Sequence, residues 1–214
     1  MIHVLLIALR TTIVTLVLTG VVYPYTITGL AQLLFSGRAN GSLVTDEQGQ
    51  IIGSELIGQG FSHPAYFQLR PSAAGDKGYD ATASSGSNLG PTSKKLQDRV
   101  IQDLARLKEE NPNAPGPVPA DLVTTSASGL DPHLSPQAAL WQLPRVADAR
   151  GVAPERVKAA VEAAIEGRDL NLLGEPRVNI LLLNLALDRQ FGRPAPISAR
   201  SKTETEAIGR TESD

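Results

Sequence analysis

Cysteine is absent from the 214 residues, which excludes disulfides and thiolate metal sites. Histidine is scarce, with three residues at positions 3, 63 and 133, too dispersed in sequence to suggest a metal cluster. Aromatic side chains make up only 4%, so the core must lean on Val, Leu, Ile and Ala. A cationic excess is lacking as well: the net charge is −2, which argues against nucleic acid, because phosphate binding needs clustered Lys and Arg. What is present is ordinary for globular protein, 42% apolar and 20% charged. The length suits one domain with a substantial core.

Charge is also missing from one long run. Thr11 to Phe35 contains 25 residues and no charged side chain. As a helix it spans about 37 Å at about 1.5 Å per residue, enough for a hydrocarbon core of about 30 Å. Arg10 bounds it on one side, and Tyr23 and Tyr25 flank Pro24, a point where a helix kinks or meets the membrane interface. A secretory signal peptide with Gly29 and Ala31 near its cleavage site, and a buried core helix, are the competing readings. The length favours a retained anchor. Arg10 and the terminal amine before the span nearly balance Arg38 after it, so charge alone orients it weakly. A short tail inside with the large domain exported is the simpler topology.

The rest of the chain reads as one soluble mixed α/β domain, residues 36–191, between residues 1–10 and 11–35 on one side and a polar tail, residues 192–214, expected to be disordered. The expected class is α+β. Ser42–Thr45 and Gln50–Ile57 read as strands across the turn D-E-Q-G. Gly58 to Gly90 is long and irregular, the kind of region that carries partner contacts. Thr92–Glu110 reads as a helix with an apolar stripe of Leu96, Val100, Ile101, Leu104 and Leu107, ended by N-P-N-A-P-G-P-V-P. Asp121–Thr125 reads as a short strand. Ser135 caps a helix that opens at Pro136 and stops at Gly151, and a second runs from Pro154 to Glu166. Val178–Asp188 fits strand and helix periodicities in different parts.

Three motifs invite chemistry. T-T-S-A-S-G-L-D-P-H-L-S-P, Thr124 to Pro136, gathers serines, an aspartate and a histidine. Ser128, Asp131 and His133 are close neighbours on one loop, however, and no G-x-S-x-G elbow surrounds them, so a turn leading into a capped helix is preferred to a hydrolytic triad. S-S-G-S-N-L-G-P-T-S-K-K, Ser84 to Lys95, is glycine-rich before a helix but lacks the G-K-[ST] of a phosphate loop. The pair of helices joined by G-V-A-P has the outline of a helix-turn-helix, which the acidic balance makes a poor DNA reader. No catalytic residue, metal ligand or covalently bound cofactor is assigned.

In order, T-G-L-A-Q-L-L-F, A-N-G-S-L, G-S-E-L-I-G-Q-G-F, Y-F-Q-L-R-P-S-A-A, S-S-G-S-N-L-G-P-T-S, V-P-A-D-L-V-T-T-S-A-S-G-L-D-P-H-L-S-P, Q-L-P-R-V-A-D-A-R-G and G-E-P-R-V-N-I-L-L-L-N-L-A-L-D closely resemble the KdpC family, the small C subunits of the Kdp potassium-transporting ATPases. The resemblance covers about residues 10 to 191. It implies a single-pass inner-membrane subunit working with a channel-like A subunit, a P-type B subunit that hydrolyses ATP, and a very small F subunit. The chain has neither the D-K-T-G-T phosphorylation sequence nor the T-V-G-Y-G filter, so it reads as neither motor nor pore.

Two roles are implied by the family. In one, the subunit raises the ATP affinity of the B subunit through a ternary complex with nucleotide, and Ser128, Gly129 and Gln142 lie nearest the nucleotide. In the other, the domain lies outside the membrane over the ion entrance, beyond the reach of cytoplasmic ATP. Asn88, Asp131, His133 and Arg145 are then structural or partner-contacting residues. The rivals are a membrane-tethered or exported hydrolase using Ser128 and His133, and an anchored binding protein unrelated to transport.

Overall fold

The computed structural model describes residues 1–46 and 48–195. Glu47 of the expected hairpin turn and residues 196–214 of the expected tail lie outside the described residues. The chain divides after Leu56 into two compact units.

The first unit opens with an unbroken helical run, Ile2–Leu34, long and apolar enough to cross a membrane. It comprises α1 (Ile2–Val17), one π-helical turn (Leu18–Val22) and α2 (Tyr23–Leu34). The helix starts well before Thr11, and Arg10 lies inside it. A single charge leaves backbone hydrogen bonding intact; it restricts which part of a helix can sit in lipid, not where the helix begins. Pro24 stands in the first turn of α2 without ending the helix. The π turn just before it, in which the Tyr23 N–H donates to the Leu18 carbonyl, absorbs the register change that a missing donor demands. None of the side chains of α1 or α2 is buried.

After the short α3 (Ser36–Ala39), β1 (Leu43–Thr45) and β2 (Ile51–Ser54) form the expected antiparallel hairpin, with Leu43 opposite Ser54 and an irregularity at Val44/Thr45. The Asp46 carboxylate accepts from the Gln48 and Gln50 amides at 3.0 and 2.9 Å, so aspartate builds the turn as an acceptor of backbone donors.

In the second unit residues 58–93 contain no helix or strand. The regular elements follow: α4 (Lys94–Glu110), a 3₁₀ turn (Ala120–Leu122), β3 (His133–Leu134), α5 (Pro136–Arg150), α6 (Pro154–Ala163), β4 (Ile165–Glu166), β5 (Arg177–Asn179) and α7 (Ile180–Phe191). The strands form a small antiparallel sheet in the order β3-β5-β4.

The core lies among α5, α6, α7 and this sheet. Trp141, Val146, Val157, Val161, Val178, Ile180, Leu183 and Leu187 are all buried there. Each large apolar side chain so buried contributes about 1.5–3 kcal/mol, and the scarcity of aromatics is met by branched aliphatics, as composition required. In α7 the buried positions Ile180, Leu181, Leu183, Asn184 and Leu187 trace one helical face. β5 runs directly into α7: Asn179 ends the strand and its side chain accepts from the Leu182 amide at 3.2 Å as the cap. That junction explains why Val178–Asp188 matches both periodicities.

Three expectations need correction. Asp121–Thr125 is not a strand; Pro119 leads into the 3₁₀ turn, and Thr124 closes on the Ala120 carbonyl through both its amide and its hydroxyl. The second helix of the pair stops at Ala163, because Ile165 and Glu166 pair with Val178 and Arg177 as an edge strand. In α4, Val100, Leu104 and Leu107 face the core, while Ile101 is 65% exposed. The three inward positions fall within about 60° of one another at about 100° per residue, and Ile101 stands outside that arc.

Candidate functional site

The Thr124–Pro136 loop is a hub for the irregular segment 58–93. Asp131 is its polar centre: Oδ1 accepts from the His133 amide at 3.0 Å, and Oδ2 pairs with Arg70 Nη1 at 3.2 Å. His133 Nδ1 lies 3.4 Å from Asp131 Oδ1. Burial works to raise the Asp131 carboxyl, but the hydrogen bonds from His133 and the Arg70 charge outweigh it and hold the carboxyl below its ordinary value. Arg70 also donates from Nε to the Thr124 carbonyl at 3.2 Å, tying the start of the loop and its centre to one guanidinium.

The loop backbone docks directly on the irregular segment. The Ser85 amide donates to Ser128 O at 2.9 Å and the Gly58 amide to Leu130 O at 2.7 Å. Ser72 Oγ donates to Gly129 O at 2.6 Å while accepting from the Ala74 and Tyr79 amides. Gly129 permits this approach in two ways. Its φ is +68°, and a Cβ there would lie 2.5 Å from Ser85 O and 2.7 Å from Ala74 N. Only glycine fits. Asn88 also takes a left-handed backbone, φ 51°, which asparagine tolerates better than most residues.

The Ser128 hydroxyl accepts from the Leu130 amide at 3.1 Å and lies 3.5 Å from Ser126 Oγ. Among the described residues no hydrogen bond joins Ser128 to His133, so the loop has the members of a triad without its geometry. No group of three or more His, Cys, Asp or Glu suited to a metal ion occurs among the described residues.

A second centre lies on α5. Gln142, 1% exposed, accepts from the Gln68 amide at 2.9 Å and donates to the Gln68 carbonyl at 2.9 Å. Its side-chain oxygen also accepts from Arg145 Nη2 at 2.8 Å. Arg145 continues to Asn111 Oδ1 at 2.9 Å and to the carbonyls of Pro64 and Tyr66. Burial pushes the Arg145 guanidinium down to about 10, which still leaves it charged at neutral pH. Asn184 of α7 repeats the grip one residue earlier, accepting from Phe67 N at 2.9 Å and donating to Phe67 O at 3.0 Å. The irregular chain at Phe67–Gln68 therefore has its backbone groups satisfied by two buried amides. Gln142 and the Ser128–Gly129 turn belong to different parts of this framework: the hydrogen bonds of Gln142 go to Gln68, Ala138 and Arg145.

The sequence pattern of the KdpC family, described as "K+-transporting ATPase, c chain", matches residues 5–189. The chain belongs to the KdpC family. It is 67% identical over 192 residues to the "Potassium-transporting ATPase KdpC subunit" of Myxococcus xanthus, covering 90% of each chain. It is 53% identical over 186 residues to the protein of that name from Koribacter versatilis, covering 86% of this chain and 94% of the relative. With the relative from Bradyrhizobium diazoefficiens the identity is 55% over 183 residues, 80% of this chain and 90% of the other.

This KdpC-family chain has a further buried cluster that sequence reasoning missed. Arg150 Nη2 pairs with Asp188 Oδ1 at 2.9 Å, with side chains 3% and 11% exposed. Tyr66 OH donates to Asp188 Oδ2 at 2.8 Å, and the Arg150 guanidinium lies over the Tyr66 ring, 5.1 Å from its centroid. Burial, helped by the Asp188 hydrogen bond and charge, pushes the Tyr66 phenol up to about 12. Asn184 was discoverable in principle, as the one polar residue in the run I-L-L-L-N-L-A-L. Arg150 and Asp188 carried no such mark: each stands in the last turns of a helix, where charge is commonplace.

Proposed function

We propose that this chain is the non-catalytic accessory subunit of a high-affinity, ATP-driven potassium-uptake complex, assembling or stabilising a channel-like A subunit and a P-type B subunit beside a small F subunit. The carrying observation is the family match over residues 5–189 in a chain whose described residues include one membrane-length helix. The helix anchors it in the cell inner membrane, in contact with lipid, and the second unit stands on the outer, periplasmic face. Asn88, Asp131, His133 and Arg145 keep the loop layer in the shape that meets its partners.

Regulation of ATP use is the finer part of the proposal. The chain raises the ATP affinity of the B subunit, either with Ser128, Gly129 and Gln142 near the nucleotide in a ternary complex or indirectly through helix and partners. The indirect route is favoured: the Ser128 hydroxyl and the Gln142 amide already satisfy backbone groups of their own domain. The same engagement of Ser128 speaks against the hydrolase reading.

Protease added to intact spheroplasts tests the topology. Digestion of the domain with a cytoplasmic control spared is expected; protection until lysis would overturn the outer placement and favour direct nucleotide contact. ATPase assays with and without the chain test the accessory role. Potassium-stimulated hydrolysis is expected to require it, with none from the chain alone; hydrolysis by the isolated chain that Ser128→Ala abolishes would restore the hydrolase.

A further inference from the structure

Between β4 and β5 the chain R-D-L-N-L-L-G-E makes a tight hairpin that projects leucines into solvent. Leu170, Leu172 and Leu173 are 90%, 75% and 59% exposed. The backbone beneath them is ordered: Asp169 and Leu173 exchange both hydrogen bonds at 2.9 Å, and the Leu172 amide donates to Asp169 O at 3.1 Å. Ion pairs staple the base, Arg168 to Glu175 at 2.7 Å and Arg177 to Glu166 at 3.0 Å and Asp169 at 3.8 Å. Leu170 itself has φ 54° and is followed by Asn171 at 58°. A left-handed leucine is rare, and this one holds an apolar side chain at the extreme tip.

We infer that this leucine tip is the anchor by which the domain docks into an apolar pocket on a neighbouring protein subunit of its membrane complex. This rests on the accessory-subunit reading and specifies where the contact is made. Lipid fits the tip poorly. Interface-seeking segments combine aromatic residues with Lys or Arg, whereas residues 165–177 contain neither an aromatic nor a lysine, and two arginines there face three carboxylates. Mutually paired charges at the base of an exposed apolar tip match instead the polar surroundings and apolar anchor of a protein–protein contact. Three leucines fall well short of the roughly 800 Å² per partner of a free-standing interface. Such a contact suffices when a membrane helix already holds both partners together at high effective concentration, which selects a partner in the same membrane over a freely diffusing one.

The test uses the full chain assembled with the other subunits of its ATPase in native membranes. A photo-crosslinking amino acid at position 172 is expected to form its adduct with another subunit; adducts only to lipid or to a second copy of this chain would overturn the inference. Leu170→Gly combined with Leu172→Ser is expected to lower the amount of this chain retained on the detergent-purified complex by about tenfold or more. Glycine suits the left-handed backbone at position 170, so the unfolding transition is expected to stay where it was while the contact is lost. Full retention of the double variant, with the unsubstituted chain retained equally, would sink the tip and spare the accessory role. Failure of the unsubstituted chain to co-purify would sink both.

Discussion

The helical layer and the irregular layer of the second unit solve the same problem in opposite ways. Helices α5, α6 and α7 satisfy their own backbone hydrogen bonds and need only apolar burial, which Val146, Val157, Val161, Leu183 and Leu187 provide. Residues 58–93 have no ladder of their own, so side chains on the helices satisfy several of their amides and carbonyls, Gln142 at Gln68, Asn184 at Phe67 and Arg150 at Ala65, while the Thr124–Pro136 backbone and Ser72 satisfy others. Burial is shared among many contacts and degrades gradually. A backbone group held by one amide has no substitute. The irregular layer is therefore specified in part by a few polar residues on the helices, and those residues connect the packing of the core to the shape of the surface.

That contrast can be broken by substitution, with unfolding of the full chain in detergent followed through Trp141, the single tryptophan. Asp188→Ala should have the largest effect, about 3–5 kcal/mol, because it leaves Arg150 charged and buried without its carboxylate. Leu183→Ala should cost about 2–5 kcal/mol through the cavity it opens in the helical layer. Gln142→Leu should cost about 2–3 kcal/mol, since it orphans both backbone groups of Gln68 and one Arg145 contact. It should also speed hydrogen exchange at Gln68 while leaving α7 amides protected. Exchange rising equally in both layers would mean that they are one cooperative body and that the distinction fails. Ile101→Ala, at an exposed position, should stay within about 0.5 kcal/mol.

Acid sharpens the comparison. The folded-state pKa of Asp131 lies below its unfolded value, so its stabilisation is fully present above about 3.9 and is lost as pH falls through the lower folded value. The irregular layer should therefore loosen first in that window, and Asp131→Asn should remove the dependence. Tyr66 has the opposite sign: its stabilisation is complete below about 10 and is lost as pH rises towards about 12. A tyrosinate absorbance titration with Tyr66→Phe as reference checks this.

Much of the helical layer was legible because helices are written locally. Ser135, Pro136 and Gly151 mark both ends of α5, and the structure has Ser135 Oγ accepting from the Ala138 amide and Gly151 at φ 62°. The hairpin and the long apolar helix were equally readable. The 3₁₀ turn after Pro119 and the two-residue strand β4 were not, since the first depends on Thr124 closing back on the Ala120 carbonyl and the second on β5 being near enough to pair. At the site, sequence could say that Asp131 and Gly129 shape a turn. It could not say that Arg70 would meet Asp131 across 61 residues, or that Gln142 would hold Gln68 across 74.

Sequence by itself determined the family, the presence of a membrane-length helix and both ends of α5, because hydrophobic run length, caps and breakers act within a few residues. Only the tertiary structure decided how residues 58–93 are held, that Arg150 and Asp188 are a buried pair, and that three leucines stand uncovered beyond β4. Those outcomes depend on which distant groups reach hydrogen-bonding distance and which surfaces find no cover, and neither is encoded in the spacing of neighbours along the chain.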